Sequence, residues 1–160
     1  MKAMKWIPNI VSHSLMLAIG FMLGIYLLPV MTAPPPPPQK AVQQVVLNAR
    51  YLTLFVRDRE DSDFLHWGEG AVAVAPDAIS FIGDMAPGPD YRVYLSPQFV
   101  ETEAAFNTLK PQMVDIGSVK NFKSFVVYVP PSVDIEQYNT VIIWCEAFSQ
   151  FITSAKYRSH

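Results

Sequence analysis

Cys145 is the single cysteine of this 160-residue chain, so no second thiol exists within it for a disulfide. It closes the run Thr140-Val141-Ile142-Ile143-Trp144-Cys145 and is followed by Glu146. A lone thiol can ligate a metal or haem iron, act in redox chemistry, or pair with another chain. The neighbouring Glu146 carboxylate disfavours the thiolate, which sets ligation or a buried structural role ahead of nucleophilic catalysis. The plainer reading is a small buried hydrophobe, because free cysteine is among the most buried residue types. His66, with Trp67 and Glu69, is the second candidate: it could bring a second ligand or a proton to Cys145 if its strand lies nearby. One Cys and one His fall short of the four ligands of a closed zinc site, whereas copper or haem iron takes fewer protein donors. Read plainly, His66 is a polar residue on a half-exposed strand.

Two acidic features complete the inventory. Asp90, in Gly88-Pro89-Asp90, suits a turn whose side chain bonds nearby amides. Asp58, Glu60, Asp61 and Asp63 could hold Ca²⁺, although their spacing is not that of an EF-hand loop, and a solvated turn explains them as well. The chain has no Ser-His-Asp order, phosphate-binding glycine loop or His-Glu-x-x-His helix, so hydrolase and nucleotide-binding readings find no support.

The elements that must position Cys145 follow from pattern. Thr140 to Trp144 is β-branched or aromatic throughout, the composition of a strand buried on both faces. Alternation puts Val141, Ile143 and Cys145 on one face and Ile142 and Trp144 on the other. After Glu146 and Ala147, Phe148 to Ala155 resumes as a strand. Upstream, Tyr51 to Val56, Phe64 to Ala75, Ala78 to Ile82, Tyr91 to Leu95, Met113 to Gly117 and Ser124 to Val129 read as strands with turns between them. Gly68 and Gly70 signal a bulge or close backbone approach. Gly83 to Pro89 reads as a loop. Gln39 to Val56 reads as a short helix or coil and then a strand. Ser96-Pro97 has the form of an N-cap and first helical position, opening a helix that Pro111 ends. Asp134 to Gln137 suits one helical turn. The expected fold is therefore mostly β: a β-sandwich or Greek-key domain of seven or eight strands with one short helix.

Ile10 to Met31 carries no permanent charge and has the length of a helix crossing a hydrocarbon core about 30 Å thick. Lys2 and Lys5 precede it, so the positive-inside rule keeps the N-terminus cytoplasmic and sends the rest outside. A cleaved signal peptide is the rival. The run is longer than an ordinary h-region, Met31 stands two positions before the best cleavage point at Ala33, and Pro34 would follow the cut. Gly20 and Gly24 have the spacing that lets two helices approach closely, which allows a weak homodimer. Pro34 to Pro38 forms an extended spacer of roughly 15 Å. The part beyond the apolar run has a net charge of about −4 by side-chain count, which argues against nucleic acid as a partner.

Several blocks together resemble a known family. They are His66 to Val74, Gly88-Pro89-Asp90-Tyr91-Arg92-Val93-Tyr94-Leu95-Ser96, Asp115-Ile116-Gly117-Ser118-Val119-Lys120, Val127-Tyr128-Val129-Pro130, and Tyr138 to Cys145 with Phe148 after it. Their order and content are similar to the electron-transfer DM-thirteen domain, found in bacterial membrane-anchored proteins and beside DOMON domains in animal Skeletor-type proteins. The resemblance implies an extracytoplasmic β domain whose single cysteine, here Cys145, acts in redox chemistry as a free thiol or as a ligand for a prosthetic group such as haem. Two stretches depart from the pattern: Gln98 to Met113 is longer than expected, and Lys120 to Ser124 lacks glycine.

The expected organisation is a cytoplasmic N-terminus (1–9), a transmembrane signal anchor (10–31), a Pro-rich linker (32–44) and an extracytoplasmic, periplasmic β domain (45–160, core 64–157) on a cell inner membrane. The expected function is a redox or electron-transfer accessory centred on Cys145, with His66 as a possible second ligand, haem or copper as possible cofactors, and an envelope redox protein as a possible partner. The alternative is a non-catalytic module for envelope protein–protein interaction in which Cys145 only packs. For the topology, an alkaline phosphatase fusion at the C-terminus should be active in a bacterial host, and the mature protein should retain Met1 or Lys2 at its N-terminus. A mature chain beginning at Pro34 or later would rule out the anchor.

Overall fold

A computed structural model describes residues 6–159. Lys2 and Lys5, on which the expected orientation rests, lie outside the described residues. The apolar segment forms one helix, α1 (Ile7–Thr32), long and apolar enough to cross a membrane. A second helix, α2 (Gln39–Asn48), begins inside the stretch expected to be linker. Its Val42 and Val45 are buried, and Val45 clusters with Ala73, Ala75 and Ala78 on the outer face of a sheet. The prolines do not stand free as a spacer. The Asn121 side-chain amide donates to the Pro34 carbonyl at 3.1 Å, and Pro36 and Pro37 line a groove with α2, Gly83 and Lys123.

Eight strands follow: β1 (Tyr51–Phe55), β2 (Gly68–Val74), β3 (Ala78–Met85), β4 (Tyr91–Ser96), β5 (Val114–Val119), β6 (Ser124–Tyr128), β7 (Thr140–Cys145) and β8 (Gln150–Lys156). They form two four-stranded antiparallel sheets, ordered β1-β2-β3-β6 and β5-β4-β7-β8. The sheets pack as a sandwich, as the spacing of strands and turns predicts. Strand β3 is longer than expected and takes in Gly83, because Gly70 and Gly83 face each other across the ladder. A Cβ on Gly70 would stand 2.4 Å from the Ile82 carbonyl oxygen and 2.6 Å from Gly83 Cα, so this is the close backbone approach that the glycines signal.

Strand β7 is buried at all six positions. Val141, Ile143 and Cys145 face the core between the sheets, with Val72, Phe81, Val93, Leu95 and Ile152. Ile142 and Trp144 face a second core with Tyr94, Val100, Phe106 and Phe151. That second core is roofed by a helix, α3 (Glu103–Leu109), continued by a 3-10 turn at Lys110–Gln112 that contains Pro111. The helix begins six residues after the expected start at Ser96-Pro97. Ser96 ends β4, where its hydroxyl donates to the Gln98 carbonyl, and the cap is Thr102, whose side chain accepts from the Ala105 amide. Residues 97–101 instead reach the β1–β2 loop, where Glu101 pairs with Arg59 at 3.7 Å and its carbonyl accepts from the Asp61 amide. The turn at Asp134 forms as expected, a 3-10 helix over Ile135–Gln137 capped by the Asp134 side chain.

The helix is fixed to β7 by aromatic packing. Phe106 stacks on Trp144 with ring centroids 3.8 Å apart and 8° between planes, and Tyr94 meets Phe106 edge-on at 5.2 Å. Phe106→Ala should destabilise the fold by about 3–5 kcal/mol, since a large buried ring is lost. Thermal denaturation followed by Trp144 fluorescence measures this; a melting point unchanged from wild type would show that α3 does not brace β7.

Candidate functional site

Cys145 lies where two turns meet. The chain bends at Gly88-Pro89-Asp90 to enter β4, and Tyr91 pairs with Cys145 across the β4–β7 ladder. Gly88 is required there, because a Cβ would fall 2.5–2.7 Å from the Tyr91 ring and hydroxyl. Asp90 takes a left-handed conformation (φ 54°) that Asp tolerates better than most residues. Its backbone carbonyl, rather than the expected side chain, accepts the Glu146 amide at 3.0 Å. One residue earlier, the Pro89 carbonyl accepts a hydrogen bond from Cys145 Sγ at 3.0 Å. The turn thus grips the end of β7 at two consecutive residues.

The β7–β8 turn closes the other side. Phe148 is not the first residue of a strand as expected: β8 starts at Gln150, Ser149 has φ 53°, and the Phe148 ring is 49% exposed. The tight turn sets the Ala147 and Phe148 amides near the Cys145 sulfur. Burial pushes the Cys145 thiol above its ordinary pKa, those two amides oppose the rise, and the Asp90 and Glu146 carboxylates add to it. The sulfur therefore rests as a protonated thiol donating to Pro89.

Glu146 is adjacent in sequence and turns to the opposite face. It accepts from the Tyr94 hydroxyl and takes both carboxylate oxygens to Lys110 Nζ at 2.9 Å. Burial opposes its ionisation, but Tyr94 and Lys110 outweigh it and hold the carboxyl below its ordinary pKa. The expected effect of Glu146 on the thiol has the right sign and is secondary to burial.

Cys145 is only 3% exposed, yet it contributes to the lining of a cavity of about 630 Å³. The rest of the wall is mainly apolar: Tyr91, Pro89, Phe148, Phe64, Leu65 and Tyr26 of α1. His66 lines the same cavity. The sequence expectation placed it on a neighbouring strand; it sits instead in the β1–β2 loop just before β2, on the other sheet, with Nδ1 3.1 Å from Asp63 Oδ2. Asp63 Oδ1 also accepts from the Leu65 and His66 amides, and Asp61 accepts from the Glu103 amide. The acidic run therefore spends two of its carboxylates on backbone donors. Trp67 is covered by the Arg57 guanidinium at 3.6 Å from its ring. The cavity-facing aromatics Tyr91 and Phe64 were not singled out from sequence, because only the turn geometry brings them to the sulfur. Among the described residues, no three His, Cys, Asp or Glu converge as a metal-binding group. The His and Cys present do not make the His₂Cys set of a blue-copper centre. A haem needs one or two axial donors in an apolar pocket, and Cys145 and His66 fit that smaller demand.

Fold and site define a β-sandwich domain in which a sequestered thiol forms part of an apolar cavity. The family model described as Electron transfer DM13 matches residues 60–157, and the chain belongs to that family. No curated protein and no solved structure matches the chain. The family supports a redox or electron-transfer role in general.

The raised thiol pKa has a direct readout. Alkylation of native protein by iodoacetamide should follow ionisation, with its midpoint above that of an unperturbed cysteine and a rate at neutral pH below that of the unfolded chain. A midpoint at or below the ordinary thiol value would contradict this reading of burial and of the Asp90 and Glu146 carboxylates.

Proposed function

We propose that this protein is a membrane-anchored, extracytoplasmic electron-transfer accessory whose reacting group is Cys145. Supporting the anchor is α1, which is 26 residues long and has no buried residue. At about 1.5 Å per residue it extends about 39 Å, more than a hydrocarbon core needs. Lys2 and Lys5 before it support the orientation.

The observation that carries the cysteine-centred reading is that Cys145 lines a mainly apolar cavity together with His66. The Ala147 and Phe148 amides near the sulfur favour its thiolate, as amides do at thiolate-ligated centres. Cys145 and His66, both in the cavity wall, would hold an apolar prosthetic group such as haem. Such a group would supply one-electron chemistry. The chain's own part is to hold the sulfur: Pro89 accepts the thiol hydrogen at rest, the two amides bear the sulfur's charge once that proton leaves, and the apolar wall excludes water. With a raised pKa, the thiol is poorly suited to rapid thiol–disulfide exchange.

One observation favours the second reading, a protein-interaction module with a structural cysteine: Cys145 belongs to the main core cluster. Cys145→Ala separates the two. The purified full chain is assayed for a Soret band, and a deletion strain is tested for complementation. In the electron-transfer reading, the variant melts cooperatively with a loss of about 1–2 kcal/mol from the small cavity, yet loses the chromophore and fails to complement. Full complementation by a folded Cys145→Ala chain would reject the cysteine-centred function.

A further inference from the structure

Four loops share the end of the sandwich at which Cys145 lies. The ladders pair Gly68 with Met85, Ile82 with Ser124, Tyr91 with Val119 and Tyr91 with Cys145. The β1–β2, β3–β4, β5–β6 and β7–β8 loops therefore share that end. The anchor joins the domain at the same place. Helix α1 ends at Thr32, and the Pro34 carbonyl is already bonded to Asn121 in the β5–β6 loop. Ala33 alone lies between, and one residue reaches at most about 3.6 Å. The sandwich cannot rise away from the helix end while this bond holds.

Two further observations say what faces this end. Met22, Leu23, Ile25 and Tyr26 of α1 line the Cys145 cavity together with Phe64, Leu65 and Phe148. About 20 helical residues span the hydrocarbon core. Over the apolar run Ile10 to Met31, Met22 to Tyr26 fall in its outer half. Phe64 is 79% exposed and Phe148 49% exposed, both on loop tips beside those helix residues. The Asp63 carboxylate next to Phe64 is turned onto its own loop by the Leu65 and His66 amides. Phe64 itself projects as a large apolar side chain, whose exposed ring gains by leaving water.

We propose that the Cys145 end of the sandwich lies on the outer surface of the membrane that α1 enters, with Phe64, Leu65 and Phe148 seated among lipid acyl chains and headgroups. This rests on the anchor reading above and is independent of any redox role. The Cys145 cavity then opens toward lipid, so a small molecule reaching the sulfur arrives from the bilayer.

The test uses the full chain reconstituted in phosphatidylcholine bilayers. Nitroxides are attached to Phe64→Cys, Phe148→Cys and, at the far end, Tyr128→Cys, each in a Cys145→Ser background. Collision with lipid-soluble oxygen is compared with collision with a water-soluble nickel chelate. The expected result is a several-fold higher oxygen-to-nickel ratio at 64 and 148 than at 128. Equal ratios at all three positions, in protein that resists alkaline extraction, overturn the seating and leave the anchor intact. Protein released by alkaline extraction overturns both. Should Cys145→Ser fail to fold, Phe64→Trp and Tyr128→Trp with Cys145 intact give the same answer. Brominated lipid should quench the emission added at 64 and spare that added at 128; equal quenching overturns the proposal.

Discussion

Burial of β7 on both faces is the constraint on which the rest of this molecule depends. A strand with apolar side chains on alternate faces needs a layer on each side. One is supplied by the opposing sheet through Val72 and Phe81; the other by α3 through Phe106, and by Val100 in the segment before it. With β4 and β8 pairing its two edges, β7 has no free side. Its last residue can therefore be held in a fixed place by two short turns, and Cys145 is that residue.

The two turns divide the labour. Gly88-Pro89-Asp90 offers carbonyl oxygens, which suit a protonated thiol; the β7–β8 turn offers amides, which suit a charged one. The sulfur thus stands between environments that favour opposite protonation states, with burial deciding the resting one. Glu146 adds only a secondary push toward the protonated thiol, because its carboxylate is held by Tyr94 and Lys110 on the other face. The acidic residues near His66 are drawn off in the same way, by amides of their own loop and of the α3 N-terminus.

What could be read from the sequence was whatever depends on local pattern. The alternation in Thr140 to Cys145 assigns its two faces correctly, the turn at Asp134 forms as its residues suggest, and the strand count matches an eight-stranded sandwich. Non-local contacts set the remainder. Ser96-Pro97 is a sound helix start by composition, but Ser96 is held in β4 by pairing with Thr140, and residues 97–101 are spent on the β1–β2 loop. Phe148 looks like a strand residue until the left-handed Ser149 turns the chain after it. The prolines suggest a stand-off spacer, yet Asn121, far along the chain, captures the first of them. For the site, Cys145 was evident as a unique residue, whereas the Pro89 acceptor and the Tyr91 wall exist only once β4 and β7 have paired, and the two amides come near it only once the β7–β8 turn has closed.

Having one cysteine also shapes how this domain comes to be folded. No covalent cross-link waits to be made, so the sandwich needs neither an oxidant nor a disulfide isomerase to reach its native state, and its stability is indifferent to the thiol–disulfide poise around it. The unfolded chain, by contrast, carries an exposed thiol that can be captured by other chains. Pairing of β4 with β7 ends that vulnerability, because it requires residues about fifty positions apart to meet before the sulfur is covered. Folding speed, more than any cross-link, therefore protects the one thiol the protein has.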